Sequence, residues 1–184
     1  MKKTVLKYGF IAGAILGSLT AIVVPLCMKN GGLDNVAFSP AVGYAAMVLS
    51  FVAVFMGIRS YRENVGGGSI TFGRAFKVGI LIVLIGSACY VAGWEIAYWG
   101  FLPDFGDKYA AMTLEKMRAK GEPAEKIAAM EKQMEQFKEW YKNPLLNVLI
   151  TFVEVFPVGF IVTLVSAAIL RKKPEDGLPV AATA

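Results

Sequence analysis

Two carboxylates stand inside long apolar runs: Glu95 in "YVAGWEIAYWGFL" and Glu154 in "TFVEVFPVGF". An ionisable residue in such a setting is costly and tends to face a bundle interior or a wet cavity, so each marks a candidate site. Counted inward from Phe101 and Leu145 at about 1.5 Å per helical residue, Glu95 lies about 9 Å deep and Glu154 about 14 Å. Thr20 and Ser50 in the other two apolar runs, and Tyr90 in the run of Glu95, reach similar depths. Each helix thus offers a polar group to one outer-half layer. Pro157 adds to it, because it cannot donate to the Val153 carbonyl and invites a kink. Two readings stay open. The layer is an outward-opening polar cavity that takes a small molecule or lipid, or it is a set of carboxyl groups that hydrogen-bond across helices and fix the bundle. No basic residue within the runs stands ready to pair with either acid.

Other chemistry is thin. There is no histidine, which removes Ser-His-Asp and Cys-His catalysis and His-ligated zinc. Two isolated cysteines, Cys27 and Cys89, make no metal centre alone. "GGGSITFGRA", Gly66 to Ala75, has nearly the spacing of a phosphate-binding loop. Yet Arg74 stands where lysine belongs, Ala75 replaces the hydroxyl that would hold magnesium, and no strand precedes it. It reads as a glycine turn at a membrane surface. The expectation is a non-enzymatic protein with no catalytic residue, metal or cofactor, and no nucleic-acid partner.

The elements that hold these residues are clear. The 184-residue chain is 56% hydrophobic, above the roughly 45–50% of soluble domains, and the excess is gathered into four runs. These lie at about 8–28, 40–58, 76–102 and 145–170, each near the roughly 20 residues that cross a bilayer. Runs without alternation in lipid must be helical. The fold class is therefore all-α, a four-helix transmembrane bundle forming a single membrane domain over 1–184. The first run is too long for a signal peptide's apolar core and ends without a cleavage motif, so it reads as a retained span.

Charge sets the orientation. Lys2, Lys3 and Lys7 precede the first span; Arg59, Arg62, Arg74 and Lys77 lie between the second and third; Arg171, Lys172 and Lys173 follow the fourth. The first outer loop carries only Lys29. By the positive-inside rule both termini face the cytoplasm, and these cations contact lipid headgroups. A bacterial inner membrane is the expected location.

Residues 103–144 differ, with eight basic and eight acidic residues. They read as an extracytoplasmic helical hairpin, with Thr113 capping a first helix, Gly121 breaking it and Pro123 opening a second. Ile127, Met130, Met134, Phe137 and Tyr141 form an apolar stripe. It packs on Met112, Leu114 and Met117 of its own partner helix, lies on the lipid interface, or binds a protein. Trp94, Tyr98, Trp99 and Phe101, met by Trp140 and Tyr141, read as an interfacial aromatic belt. Gly9, Gly13, Gly17 and Ala21 recur every four residues, as helix-packing faces do in membranes. They serve packing within the chain or a homodimer.

Three stretches carry a family resemblance: "MGIRSYRENVGGGSITFGRAFKVG", "WGFLPDFGDKY" and "NPLLNVLITFVEVFPVGFIVTLVSAAILRKK". With the basic N-terminus and first span, the chain resembles bacterial membrane proteins grouped as domain of unknown function family 4199. The resemblance implies a multi-pass inner-membrane protein without an assigned activity, and supplies no catalytic residues. It draws attention to Arg59, Tyr61, Arg62, Phe72, Gly73, Pro103, Asp104, Glu154, Pro157 and Gly159. The expected function is an accessory or interaction protein whose outer hairpin meets a partner. The alternative is a small carrier, or a lipid- or small-molecule-binding protein, using the layer around Glu95 and Glu154.

Overall fold

Apolar runs of this length leave the backbone one local way to satisfy its own N–H and C=O groups, which is helix. The structure is a computed structural model and describes residues 1–18 and 40–172, with 40–42 described by backbone alone. Its helices run over Lys2–Ser18 (α1), Pro40–Ser50 (α2), Val52–Asn64 (α3), Phe72–Phe101 (α4), Phe105–Ala119 (α5), Ala124–Lys142 (α6) and Pro144–Leu170 (α7). The fold is all-α. Three helices are long and apolar enough to cross a membrane: Gly43–Asn64, which joins α2 and α3, then α4 and α7. The expectations placed on Thr20, Ala21, Cys27, Lys29 and Lys173 lie outside the described residues.

α4 is the central helix, and glycines fix what packs on it. A methyl built on Gly9 would lie 2.8 Å from Ile85 Cβ, and one on Gly13 2.6 Å from Cys89 Cβ. One on Gly93 would lie 3.0 Å from Gly17 Cα. The contact advances together along both chains, so α1 runs parallel to α4. The opposite holds for the other neighbours. Gly79 meets Ile58 and Thr163, while residues further along α4 meet earlier ones, Gly86 with Phe51 and Val83 with Gly159. α3 and α7 are therefore antiparallel to α4. Small residues permit this approach because no side-chain atoms stand between the helix backbones, the arrangement favoured where helices pack by dispersion contact.

Phe51 marks the junction of α2 and α3 and is wholly buried. Its ring fills the space left by two glycines, Gly86 of α4 and Gly159 of α7. α3 then continues beyond Ile58 to Asn64 and carries Arg59 and Arg62 on its last turns.

The link from α3 to α4 turns through Gly67 and Gly68, whose φ values of 59° and 84° favour glycine. Thr71 then caps α4, its hydroxyl accepting from the Arg74 N–H at 3.4 Å. So the phosphate-loop look-alike is a turn followed by an N-cap.

α5 and α6 form a hairpin that turns at Gly121, φ 69°. One expectation needs correction. Thr113 does not cap a helix; it lies mid-way along α5, with its hydroxyl donating to the Tyr109 carbonyl at 2.8 Å. The helix starts earlier because Phe105, Gly106 and Ala110 are buried at the hairpin's base.

Candidate functional site

The two connections that join the hairpin to α4 and α7 are very short. Leu102 to Asp104 separate α4 from α5, and the Leu102 and Phe105 N–H groups donate back to the Tyr98 and Leu102 carbonyls. Asn143 alone separates α6 from α7. Its Oδ1 accepts from the Leu145 N–H at 3.0 Å, and Pro144 opens the helix behind it. A capping asparagine followed by proline both ends one helix and starts the next. The hairpin is thus mounted on α4 and α7 without slack.

Beneath that mount lies a buried polar node. Asn147 is fully buried on α7, and its Oδ1 accepts from Trp94 Nε1 at 2.9 Å and from the Thr151 hydroxyl at 3.3 Å. Its Nδ2 donates to the Tyr141 carbonyl at 3.5 Å. One side chain therefore ties α4, α6 and α7 together. Trp94, Tyr98, Leu102, Phe105 and Tyr141 are buried around it, with Tyr109, Phe137 and Ile150 packed outside. Trp94 meets Phe105 edge-to-face at 4.9 Å, a favoured arrangement of aromatic quadrupoles. Burial, reinforced by the nearby Glu154 carboxylate, pushes the Tyr141 phenol above its ordinary range, while Thr151 acts weakly against it.

Lys138 closes the hairpin's base by ion pairs to Glu135 at 2.6 Å and Asp107 at 3.0 Å. Both carboxylates, Glu135 first, raise the Lys138 ammonium above the usual lysine range. Gly106 leaves room for the lysine stem; a methyl there would lie 3.2 Å from Lys138 Cγ.

The expected aromatic belt is therefore split. Trp99, Phe101 and Trp140 are exposed at the hairpin's foot, whereas Trp94, Tyr98 and Tyr141 turn inward. Trp94 does so because Asn147 satisfies its N–H. In the hairpin stripe, Ile127, Met130, Met134 and Phe137 are half-buried and Tyr141 is buried, in register with the facing helix. Met112, Leu114 and Met117 on α5 are half-buried in turn.

Among the described residues, no hydrogen bond joins the members of the expected polar layer to one another. The Ser50 hydroxyl is spent on the Ala46 carbonyl of its own helix, at 2.8 Å. Glu95 Oε2 accepts from Trp99 Nε1 at 2.8 Å, while its Oε1 is buried without a hydrogen-bond partner. Glu154 lies in electrostatic reach of Tyr90 and Tyr141. On α4, Tyr90 and Glu95 point about 140° apart, at 3.6 residues per turn. The two acids consequently occupy different sectors, and among the described residues no hydrogen bond or ion pair links them. α7 continues through Pro157, which is exposed.

At the other end of the bundle sits a clasp. Ile70 and Lys172 exchange backbone hydrogen bonds of 2.9 and 3.0 Å. Arg62 donates to the last carbonyl of α7, Leu170, at 3.3 Å, and to Glu63 at 3.4 Å. Arg59 pairs with Glu63 at 2.8 Å. Arg74, Lys77 and Arg171 are exposed. So Arg62, expected only to meet headgroups, also caps a helix C-terminus.

Asn147 and Thr151 were missed from the sequence, although a polar pair four residues apart in an apolar run was visible. Comparison with curated proteins and with solved structures finds no match to this chain. A family model described as Protein of unknown function (DUF4199) matches residues 7–172, and the chain belongs to that family.

Proposed function

We propose that the chain is a non-enzymatic, four-span protein of the bacterial inner membrane, with both ends in the cytoplasm, whose extracytoplasmic hairpin is a rigid platform for a protein partner. The carrying observation is the Asn147 node with its aromatic surround, which fixes the hairpin to α4 and α7. A hairpin that only filled a gap between spans would need no such seat; one that must present a surface in a set orientation does. The parallel course of α1 beside α4, with α3 and α7 antiparallel, supports four alternating crossings in which α1 begins the first. The clasp supports it too, since it gathers the arginine-bearing turn and the basic C-terminal segment at one end.

The binding surface in this reading is the outward face of α6, including Ala128, Lys132 and Gln136, all exposed. The stripe from Ile127 to Phe137 holds the hairpin together behind it. A photo-crosslinking residue at each of those three positions, in full-length protein in native membranes, tests the reading. Discrete protein adducts at neighbouring positions are expected. Adducts to lipid alone, or none, would sink it. The carrier reading keeps one favourable observation, the unpartnered Glu95 Oε1, but among the described residues no hydrogen bond or ion pair unites Glu95 with Glu154.

A further inference from the structure

At the end opposite the hairpin, α1 and α4 part to leave a cleft of about 210 Å³ lined by Met1, Lys2, Val5, Leu6 and Leu81. Val5 is buried and Leu81 half-buried, so the floor is apolar, while Leu6 is exposed at its side. Exposed Phe10 of α1 and Leu84 of α4 continue the apolar surface away from it. The parallel register that sets Gly9 on Ile85 and Gly13 on Cys89 brings Val5 to the level of Leu81. It also brings the start of α1 to the level of Lys77, one helical turn of about 5.4 Å before Leu81.

Lys2 is the basic residue of the lining, and the exposed Arg74 and Lys77 precede Leu81 by seven and four residues on the same face of α4. Among the described residues, none of the three has a carboxylate partner. Glu63, the acid of the clasp at this end, is already held by Arg59 and Arg62. An apolar slot under unpaired ammonium groups complements one kind of occupant, an amphiphile with an anionic head and a hydrocarbon tail. We infer that this cleft is a binding site for one anionic glycerophospholipid, with its phosphate between Lys2 and Lys77 and an acyl chain over Val5, Leu6 and Leu81. Lysine stems lie along the apolar wall while their ammonium groups reach the headgroup. The inference needs only that this end of the bundle lie at a headgroup layer, and is independent of what the hairpin binds.

Native mass spectrometry of the detergent-solubilised full chain tests it, with phosphatidylglycerol or phosphatidylcholine of the same acyl chains added. One phosphatidylglycerol is expected to be retained over phosphatidylcholine by about fivefold for each lysine that meets it. The Lys2→Gln/Lys77→Gln pair should fall to the phosphatidylcholine level, while Lys2→Arg/Lys77→Arg keeps the preference. Lys108→Gln/Lys120→Gln, an equal charge loss at exposed hairpin positions, should leave the lipid preference unchanged. Leu81→Trp fills the slot at constant charge and should also release the lipid, which decides the matter if the glutamine pair fails to fold. Equal retention of the two lipids, or equal loss in both glutamine pairs, overturns the inference.

Discussion

Gly17 and Gly93 meet backbone to backbone: a methyl built on Gly93 would stand 3.0 Å from both the Cα and the carbonyl oxygen of Gly17. Backbone cannot swing aside as a side chain can, so this contact holds α1 at a fixed height on α4. Gly93→Ala should therefore push the helices apart and cost about 1–3 kcal/mol through overpacking, less a gain of up to about 1 kcal/mol in helix propensity. Gly100, on the same helix, has open space where its methyl would go, and Gly100→Ala should be neutral or mildly stabilising. Thermal unfolding in detergent compares the two. Equal melting temperatures for both variants would contradict the packing described.

The Asn147 node makes a second, separable prediction. Asn147→Leu keeps the branched four-atom side chain but strands the Trp94 N–H in an apolar pocket, at about 1–3 kcal/mol for a buried unsatisfied group. Trp94→Phe should cost less at the node, because Thr151 still serves Asn147 Oδ1. A double-mutant cycle between Trp94 and Asn147, read by thermal unfolding, should give a coupling near 1 kcal/mol. The hairpin of Asn147→Leu should also become sensitive to limited proteolysis. Hairpin protection unchanged in that variant would mean the node does not hold the hairpin.

How much of this was readable beforehand depends on the kind of signal. The four-residue glycine recurrence from Gly9 to Gly17 is periodic, and periodicity survives in a bare sequence. Its counterpart on α4 did not stand out, because Cys89 sits between Gly86 and Gly93 and does not look like a packing glycine. Asn147 and Thr151 are neutral polar residues in an apolar run that also holds Glu154, and a neutral side chain is a weaker signal there than a carboxylate. Which tryptophan turns inward depends on where its N–H finds an acceptor on another helix, and that partner is 53 residues away for Trp94. The positions of Glu95 and Glu154 along their helices follow from residue number alone. Direction around the helix was not, because it depends on which neighbour each face meets.

The clasp predicts a cross-link. Residues that exchange both backbone hydrogen bonds in an antiparallel pair have Cα atoms about 5.5 Å apart, within the disulfide range of about 4.4–6.8 Å. Ile70→Cys/Lys172→Cys, in a background with Cys27 and Cys89 replaced by serine, should close a bond under mild oxidation. Moving the second cysteine to Lys142, the last residue of α6 at the hairpin end of the bundle, should give none. Cross-linking of both pairs, or of neither, would refute the placement of the α3–α4 turn against the end of α7.

The same clasp separates two arginines that look alike in sequence. Arg59 makes an exposed pair with Glu63, 60% and 46% accessible, and such pairs are worth about 0–1 kcal/mol. Arg62 is only 22% accessible and also caps the Leu170 carbonyl, a charged hydrogen bond worth about 1.5–3 kcal/mol. Arg62→Gln should lower the melting temperature clearly more than Arg59→Gln, although each removes one charge. Equal losses would return both residues to the single role of setting orientation.

Alkaline pH should loosen the hairpin's base before the rest. Lys138 is raised by Glu135 and Asp107, so its contribution is complete below the ordinary lysine value of about 10.4 and is lost as pH climbs through the raised one. Tyr141 is raised by burial and by Glu154. The folded chain keeps its phenol neutral where the unfolded chain ionises, near pH 10, so its contribution also falls with rising pH. Protection of the hairpin amides against hydrogen exchange, corrected for intrinsic rates, should hold up to about pH 10 and then decline. Lys138→Gln and Tyr141→Phe should each flatten part of that decline, and the two together most of it. An undiminished alkaline decline in the double variant would show that other groups control the hairpin's stability at high pH.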